Sequence, residues 1–134
     1  MTPEVEEFAK TLCERVRDAA IQSCDRELDP DRASPMAKRW RAVMPDSSAE
    51  RLARMLIPDV VDETIAQLLL AIDQEVLNLT FWALNGATID LSRHGRGELT
   101  GSYVGSGGWR ATYSKERFVD DLTDLSSTKG PTNE

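Results

Sequence analysis

The residues able to do chemistry are few. Asp90, Ser92 and His94 alternate along one stretch in the order acid, nucleophile, base. On a strand they would share one face, but neighbours two apart stand about 6.5 Å apart. A working triad needs hydrogen bonds of about 2.6–3.2 Å, and no Gly-x-Ser-x-Gly turn surrounds Ser92. We read the three as solvent-facing polar side chains and assign no catalytic residue. Asp59, Asp62 and Glu63 lie in the first turns of an expected helix, where paired carboxylates can hold a divalent cation or share a proton. A helix N-terminus favours the same charges electrostatically. With neither a histidine nor a second acidic cluster at ligand spacing, no metal and no cofactor are expected.

The stretch RHGRGELTGSYVGSGGWR, residues 93–110, holds six of the eight glycines. A phosphate-binding P-loop needs four residues between its glycines and then Lys-Ser/Thr, and no lysine follows any glycine here. The dinucleotide fingerprint fails too, because Gly101 comes one residue too late after Gly95-Arg96-Gly97. Turn chemistry is the plainer reading. Arg93, His94, Arg96 and Arg110 flank these glycines and form a candidate anion-binding set.

Lys38, Arg39, Arg41, Arg51 and Arg54 make a basic segment around Trp40. Arginine beside an aromatic residue suits a protein interface or a nucleic-acid strand. We take Arg39, Trp40, Arg41, Trp82, Tyr103 and Trp109 as interface candidates. The net charge of −7 opposes general nucleic-acid binding, which is left as a lesser option for residues 38–54. The chain's 134 residues, 40% of them hydrophobic, suffice for one packed domain.

Cys13 and Cys24 are expected on one helix, about 16 Å apart along its axis. That is too far for a disulfide, so reduced thiols in a cytoplasmic protein are expected. The start lacks the basic and apolar regions of a secretory signal. Asp73 and Glu75 interrupt the most apolar stretch, so no membrane span is expected.

The elements that must position these residues can be read from hydrophobic period and punctuation. Thr2-Pro3 starts a helix over 3–28, with Val5, Phe8, Ala9, Leu12, Val16, Ala19, Ala20 and Ser23 as its inner stripe and Cys13 beside it. Ser34-Pro35 starts a second over 34–43, with Met36, Ala37, Trp40, Val43 and Met44 inward. A third, over 48–56, buries Leu52, Met55 and Leu56. Pro58 is expected to break the chain before a fourth helix over 58–74, faced by Val61, Ile65, Leu68, Leu69 and Ile72.

From Leu77 the period drops to two. Asn85-Gly86 signals a hairpin. A three-residue loop with left-handed Gly86 sets Phe81 opposite Ile89 and Leu79 opposite Leu91, apolar beside apolar. The segments LTGSYV and WRATY read as a second hairpin, with a short helix over GELTGSYV as the rival reading. A last helix over 115–124, capped by Ser114, precedes a flexible tail at 126–134.

The expectation is therefore an α+β domain over 1–125, with N-terminal helices on a small antiparallel meander spanning 77–113. The functional expectation is a non-enzymatic cytoplasmic module that binds and occludes a larger protein, a basic one if acidic charge steers the encounter. Toxin-neutralising immunity proteins and phage-encoded inhibitors are functional types of this kind. The alternative is a module for a small anionic ligand or nucleotide, whether binder or enzyme, using the loops at 93–110.

Overall fold

The computed structural model describes residues 1–119. Their order is α1 (Pro3–Thr11), a π-helical stretch (Leu12–Arg17), α2 (Asp18–Glu27), α3 (Pro35–Val43), α4 (Ser47–Asp73), β1 (Thr80–Trp82), β2 (Thr88–Asp90), α5 (Leu91–Gly95), α6 (Leu99–Val104) and α7 (Trp109–Tyr113). The class is α+β, mostly helical with one two-stranded antiparallel sheet. No helix among the described residues is long and apolar enough to cross a membrane.

Punctuation at the helix starts works as the residue types require. Thr2 accepts from the Val5 amide and Ser34 from the Ala37 amide, each followed by proline at the first helical position. Asp46, rather than Ser47 or Ser48, caps α4 by accepting from the Ser48 and Ala49 amides. Residues 3–27 form one continuous helical run, but the π-helical stretch alters its inner face. Asp18 donates its amide to the Cys13 carbonyl, five residues back instead of four. The wide turn adds a residue, so the buried stripe passes from Leu12 and Cys13 to Arg17, Asp18 and Ile21. Val16, expected inward, is exposed instead.

The expected break at Pro58 does not occur: α4 runs through it for 27 residues. Proline costs a helix the amide that would bond the carbonyl four residues earlier, here that of Arg54. That carbonyl accepts from the Arg117 guanidinium at 2.8 Å instead. The same guanidinium grips Asp25 on α2 with both nitrogens, at 2.7 and 2.9 Å.

The hairpin has the expected register, with Phe81 opposite Ile89 and Gly86 at φ 87°. The Leu91 amide donates to the Leu79 carbonyl at 3.0 Å, and the hairpin is tied to α1 where Glu7 accepts from the Leu84 amide at 2.9 Å. The second hairpin is absent. LTGSYV and WRATY are the helices α6 and α7, so the meander over 77–113 is corrected to one hairpin at 80–90 and three short helices. Asp90 ends β2 and caps α5, accepting from the Ser92 and Arg93 amides. Gly108, just before α7, stands where a Cβ would lie 2.2 Å from the Ser102 carbonyl oxygen, so no other residue fits between α6 and α7 without backbone movement. Residues 115–119 are not helical; the rest of the expected last helix and the tail lie outside the described residues.

The core gathers Val5, Ala9, Leu12 and Cys13 against Ile65, Leu69 and Ile72 of α4, and closes over Ile89, Leu91, Leu99, Tyr103 and Trp109. The start of α6 has no cap of its own. Asp73, at the end of α4, supplies it from afar, accepting from the Leu99 and Thr100 amides at 3.0 and 2.9 Å and from the Thr100 hydroxyl at 2.8 Å. Removing a cap of this kind costs about 1–2 kcal/mol. Asp73→Ala is expected to lower the denaturation midpoint accordingly with an unchanged m-value in urea; a change below a few tenths of a kcal/mol would show that the cap adds nothing.

Candidate protein-interaction surface

The densest polar cluster faces inward. Arg17, fully buried, binds Asp62 with two nitrogens, at 2.7 and 3.2 Å. Tyr103 donates to the same carboxylate at 2.6 Å and Arg110 at 2.7 Å. Arg17 also donates to the Ser114 hydroxyl at 2.7 Å and the Arg117 carbonyl at 2.7 Å, while Asp18 accepts from the Lys115 amide at 2.8 Å. Phe118 lies over both guanidinium groups, 5.7 Å from that of Arg17 and 4.7 Å from that of Arg110.

Burial pushes the Asp62 carboxyl up, but the hydrogen bonds from Arg17, Tyr103 and Arg110 outweigh it and hold the group below the usual carboxylate range. Burial and then the Asp62 bond push the Tyr103 hydroxyl well above its ordinary value. Burial likewise pushes the neighbouring Cys13 thiol up to about 12, which leaves it protonated and unreactive at neutral pH. Asp62 is thus taken up by two arginines and a tyrosine, and no group of His, Cys, Asp or Glu among the described residues could hold a metal ion. The network ties the strap at 114–118 to the π-helical stretch and α4.

The alternating Asp90, Ser92 and His94 do not form a strand face. Ser92 is buried on α5, where its hydroxyl donates to the Ile72 carbonyl at 3.0 Å. His94 Nδ1 lies 2.9 Å from the Asp90 carbonyl oxygen, so that nitrogen carries the proton.

The candidate anion set divides. Arg93, His94 and Arg96 line an open cavity of about 480 Å³ together with Met1, Thr2, Gly95 and Glu98. Arg110 belongs to the Asp62 network instead, and borders a separate cavity of about 450 Å³ lined also by Asp59, Glu63 and Val104.

The interface candidates divide as well. Tyr103 is fully buried, and Trp109 is buried edge-on against Phe8 with ring centroids 6.2 Å apart. Both are core residues, not surface anchors, because α6 and α7 turn them inward where strands were expected to alternate. Trp82 is 77% exposed on β1. Arg39, Trp40 and Arg41 lie on α3, with Arg39 exposed and the other two half-buried.

Beside them is the largest departure from the expected core. Val43, Leu52, Met55 and Leu56 were expected inward, yet Val43 is 77%, Met55 66% and Leu52 54% exposed, and Leu56 nearly as much. In α4 the first buried residue is Pro58; the turns before it stand clear of the core. Trp40 and Val43 of α3 and Met44 just after it, with Leu52, Ala53 and Leu56 of α4, form an almost wholly apolar groove of about 190 Å³. No protein-family model matches the chain, and no curated protein or solved structure does.

Sequence reasoning found this region through its basic residues and Trp40, but assigned its leucines to the interior. Helical period identifies an apolar stripe without saying what covers it. The Arg17–Asp62 network was missed because Arg17 falls on the outer face of a regular helix. The one available signal was its position among apolar neighbours once the stripe is displaced by a residue.

Proposed function

We propose that this protein acts by binding another protein through the face formed by α3 and the first half of α4, and so occludes its partner, in the manner of an immunity protein or a phage-encoded inhibitor. The observation that carries this reading is the exposed apolar cluster of Val43, Leu52 and Leu56 around the Trp40 groove. Contiguous apolar surface beside an aromatic residue and arginines is the usual composition of an interface centre. At about 190 Å³ the groove is below the roughly 300 Å³ at which small-molecule sites begin, and suits one or two anchoring side chains. The described polar clusters near Asp62 and Ser92 are consumed by internal hydrogen bonds, which supports a binding role over catalysis. Cys13 and Cys24 are both free, as befits a protein acting in the cytoplasm.

A second reading rests on the cavity lined by Arg93, His94 and Arg96, which has the volume for a small anionic ligand. One experiment separates the two. Tagged wild type, Leu52→Asp and the double variant Arg93→Ala/Arg96→Ala are recovered from the host, each checked for an unaltered melting temperature. A stoichiometric protein should accompany the wild type and the double variant, and fall by about thirtyfold with Leu52→Asp, the loss of an interface anchor worth about 2 kcal/mol. Equal recovery with Leu52→Asp would refute the α3–α4 face. Loss confined to the double variant would move the function to the anion cavity.

A further inference from the structure

We infer that the α3–α4 groove takes an acidic amphipathic helix of the partner, an inference that rests on the binding face proposed above and adds the chemistry of its occupant. Charge points to such an occupant. Residues 38–54 carry five basic and two acidic side chains, a local +3, so the rest of the chain holds −10 of the total −7. The only carboxylates in that segment are Asp46, which caps α4, and Glu50, which pairs with Arg54. Lys38, Arg39, Arg41 and Arg51 make no ion pair among the described residues. Arg41 does donate to the Asp29 carbonyl at 3.3 Å. A basic rim of this sort, unneutralised from within, is complementary to carboxylates.

Spacing points the same way. Arg39 and Arg41 flank Trp40 on α3, and Arg39 stands one helical turn before Val43, so two cations border the α3 wall of the groove. Leu52, Leu56 and Val60 are all exposed and succeed one another at four residues along α4, a stripe about 12 Å long. That is the length and period a facing helix matches with anchors at i, i+3, i+4 and i+7. The occupant therefore has apolar anchors for the groove and glutamates or aspartates flanking them.

The same charges argue against a second copy of this chain. Self-pairing on this face would bring Arg39 and Arg41 of two molecules together. The overall negative charge opposes an acidic partner at long range, but exposed charges are screened beyond about 8 Å at physiological salt, while rim contacts are closer.

A helical-peptide display library, with apolar positions fixed at i, i+3, i+4 and i+7 and all others randomised, is selected against the full chain. Binders are then measured by fluorescence anisotropy against wild type, Leu52→Asp and Arg39→Glu/Arg41→Glu, with circular dichroism confirming that each variant is folded. Glu and Asp should be enriched at the randomised positions, with affinity lost about tenfold or more in both variants, as rim charges and anchor each contribute. Binders lost with Leu52→Asp but indifferent to Arg39→Glu/Arg41→Glu, or enriched in Lys and Arg, would overturn the acidic helix while leaving the binding face standing. Selection of nothing that depends on Leu52 would overturn both. Sedimentation showing a dimer that Leu52→Asp dissolves would replace the partner helix by a second copy and equally overturn the inference.

Discussion

Asp62→Ala is expected to lower the unfolding free energy by about 3–5 kcal/mol, a large part of the roughly 5–15 kcal/mol typical of a folded chain. The cost does not come from losing an attractive contact in isolation. It comes from leaving Arg17, fully buried, and Arg110, nearly so, with positive charge and no carboxylate between them. The double variant Arg17→Ala/Asp62→Ala should therefore cost clearly less than the sum of the two single changes, because each removes the reason the other is harmful. Urea denaturation of the four proteins measures this directly; strictly additive losses would show that the charges are solvated independently.

The same pair sets an acid limit. The carboxyl of Asp62 is held lower in the folded chain than in the unfolded one, where it takes its ordinary value of about 4. Its contribution is therefore complete above that value and is lost as pH falls through the folded one. The stability gap between wild type and Asp62→Ala should narrow over that acid range and stay constant above it.

Trp109→Ala is expected to cost about 3–5 kcal/mol, the usual range for truncating a buried tryptophan. Trp109 is 4% exposed and packs edge-on against Phe8, whose ring also meets Phe81 at 5.6 Å. Truncation leaves a void where α1, α7 and the hairpin meet. Trp82→Ala, on the open side of β1, should change stability by less than about 0.5 kcal/mol. Thermal and urea unfolding of both variants test the contrast; a mild Trp109→Ala would mean that the core can collapse around the gap. Any loss of partner binding by Trp109→Ala should track the unfolded fraction, since the side chain has no surface to offer.

The contrast also marks how much the amino-acid order discloses. Helix starts at Thr2-Pro3 and Ser34-Pro35, the hairpin register and the burial of Ile65, Leu69 and Ile72 obey local rules, and all are present. Local rules failed where a remote group intervened. Pro58 does not break α4 because Arg117, far along the chain, satisfies the carbonyl that proline orphans. LTGSYV contains β-prone residues yet is helical, with Asp73 capping it from another element. WRATY also goes helical because Trp109 finds its burial against α1. For the surface, residue types located Arg39, Trp40 and Arg41, whereas the exposure of Val43, Leu52 and Met55 depends on α3 and early α4 projecting from the core, which no period encodes.

The wide turn at Leu12–Arg17 has a consequence for descent. A residue added to an ordinary helix rotates everything downstream by about 100°, and the wide turn absorbs that rotation in place. A chain of this lineage that lost a single amino acid between Cys13 and Arg17 would straighten into ordinary helix and keep its guanidinium inward, three positions after the thiol on the same stripe. The interval between thiol and guanidinium can therefore shorten by one residue without loss of the buried pair, and a homologue one residue shorter there should show an unbroken α-helix and retain the aspartate.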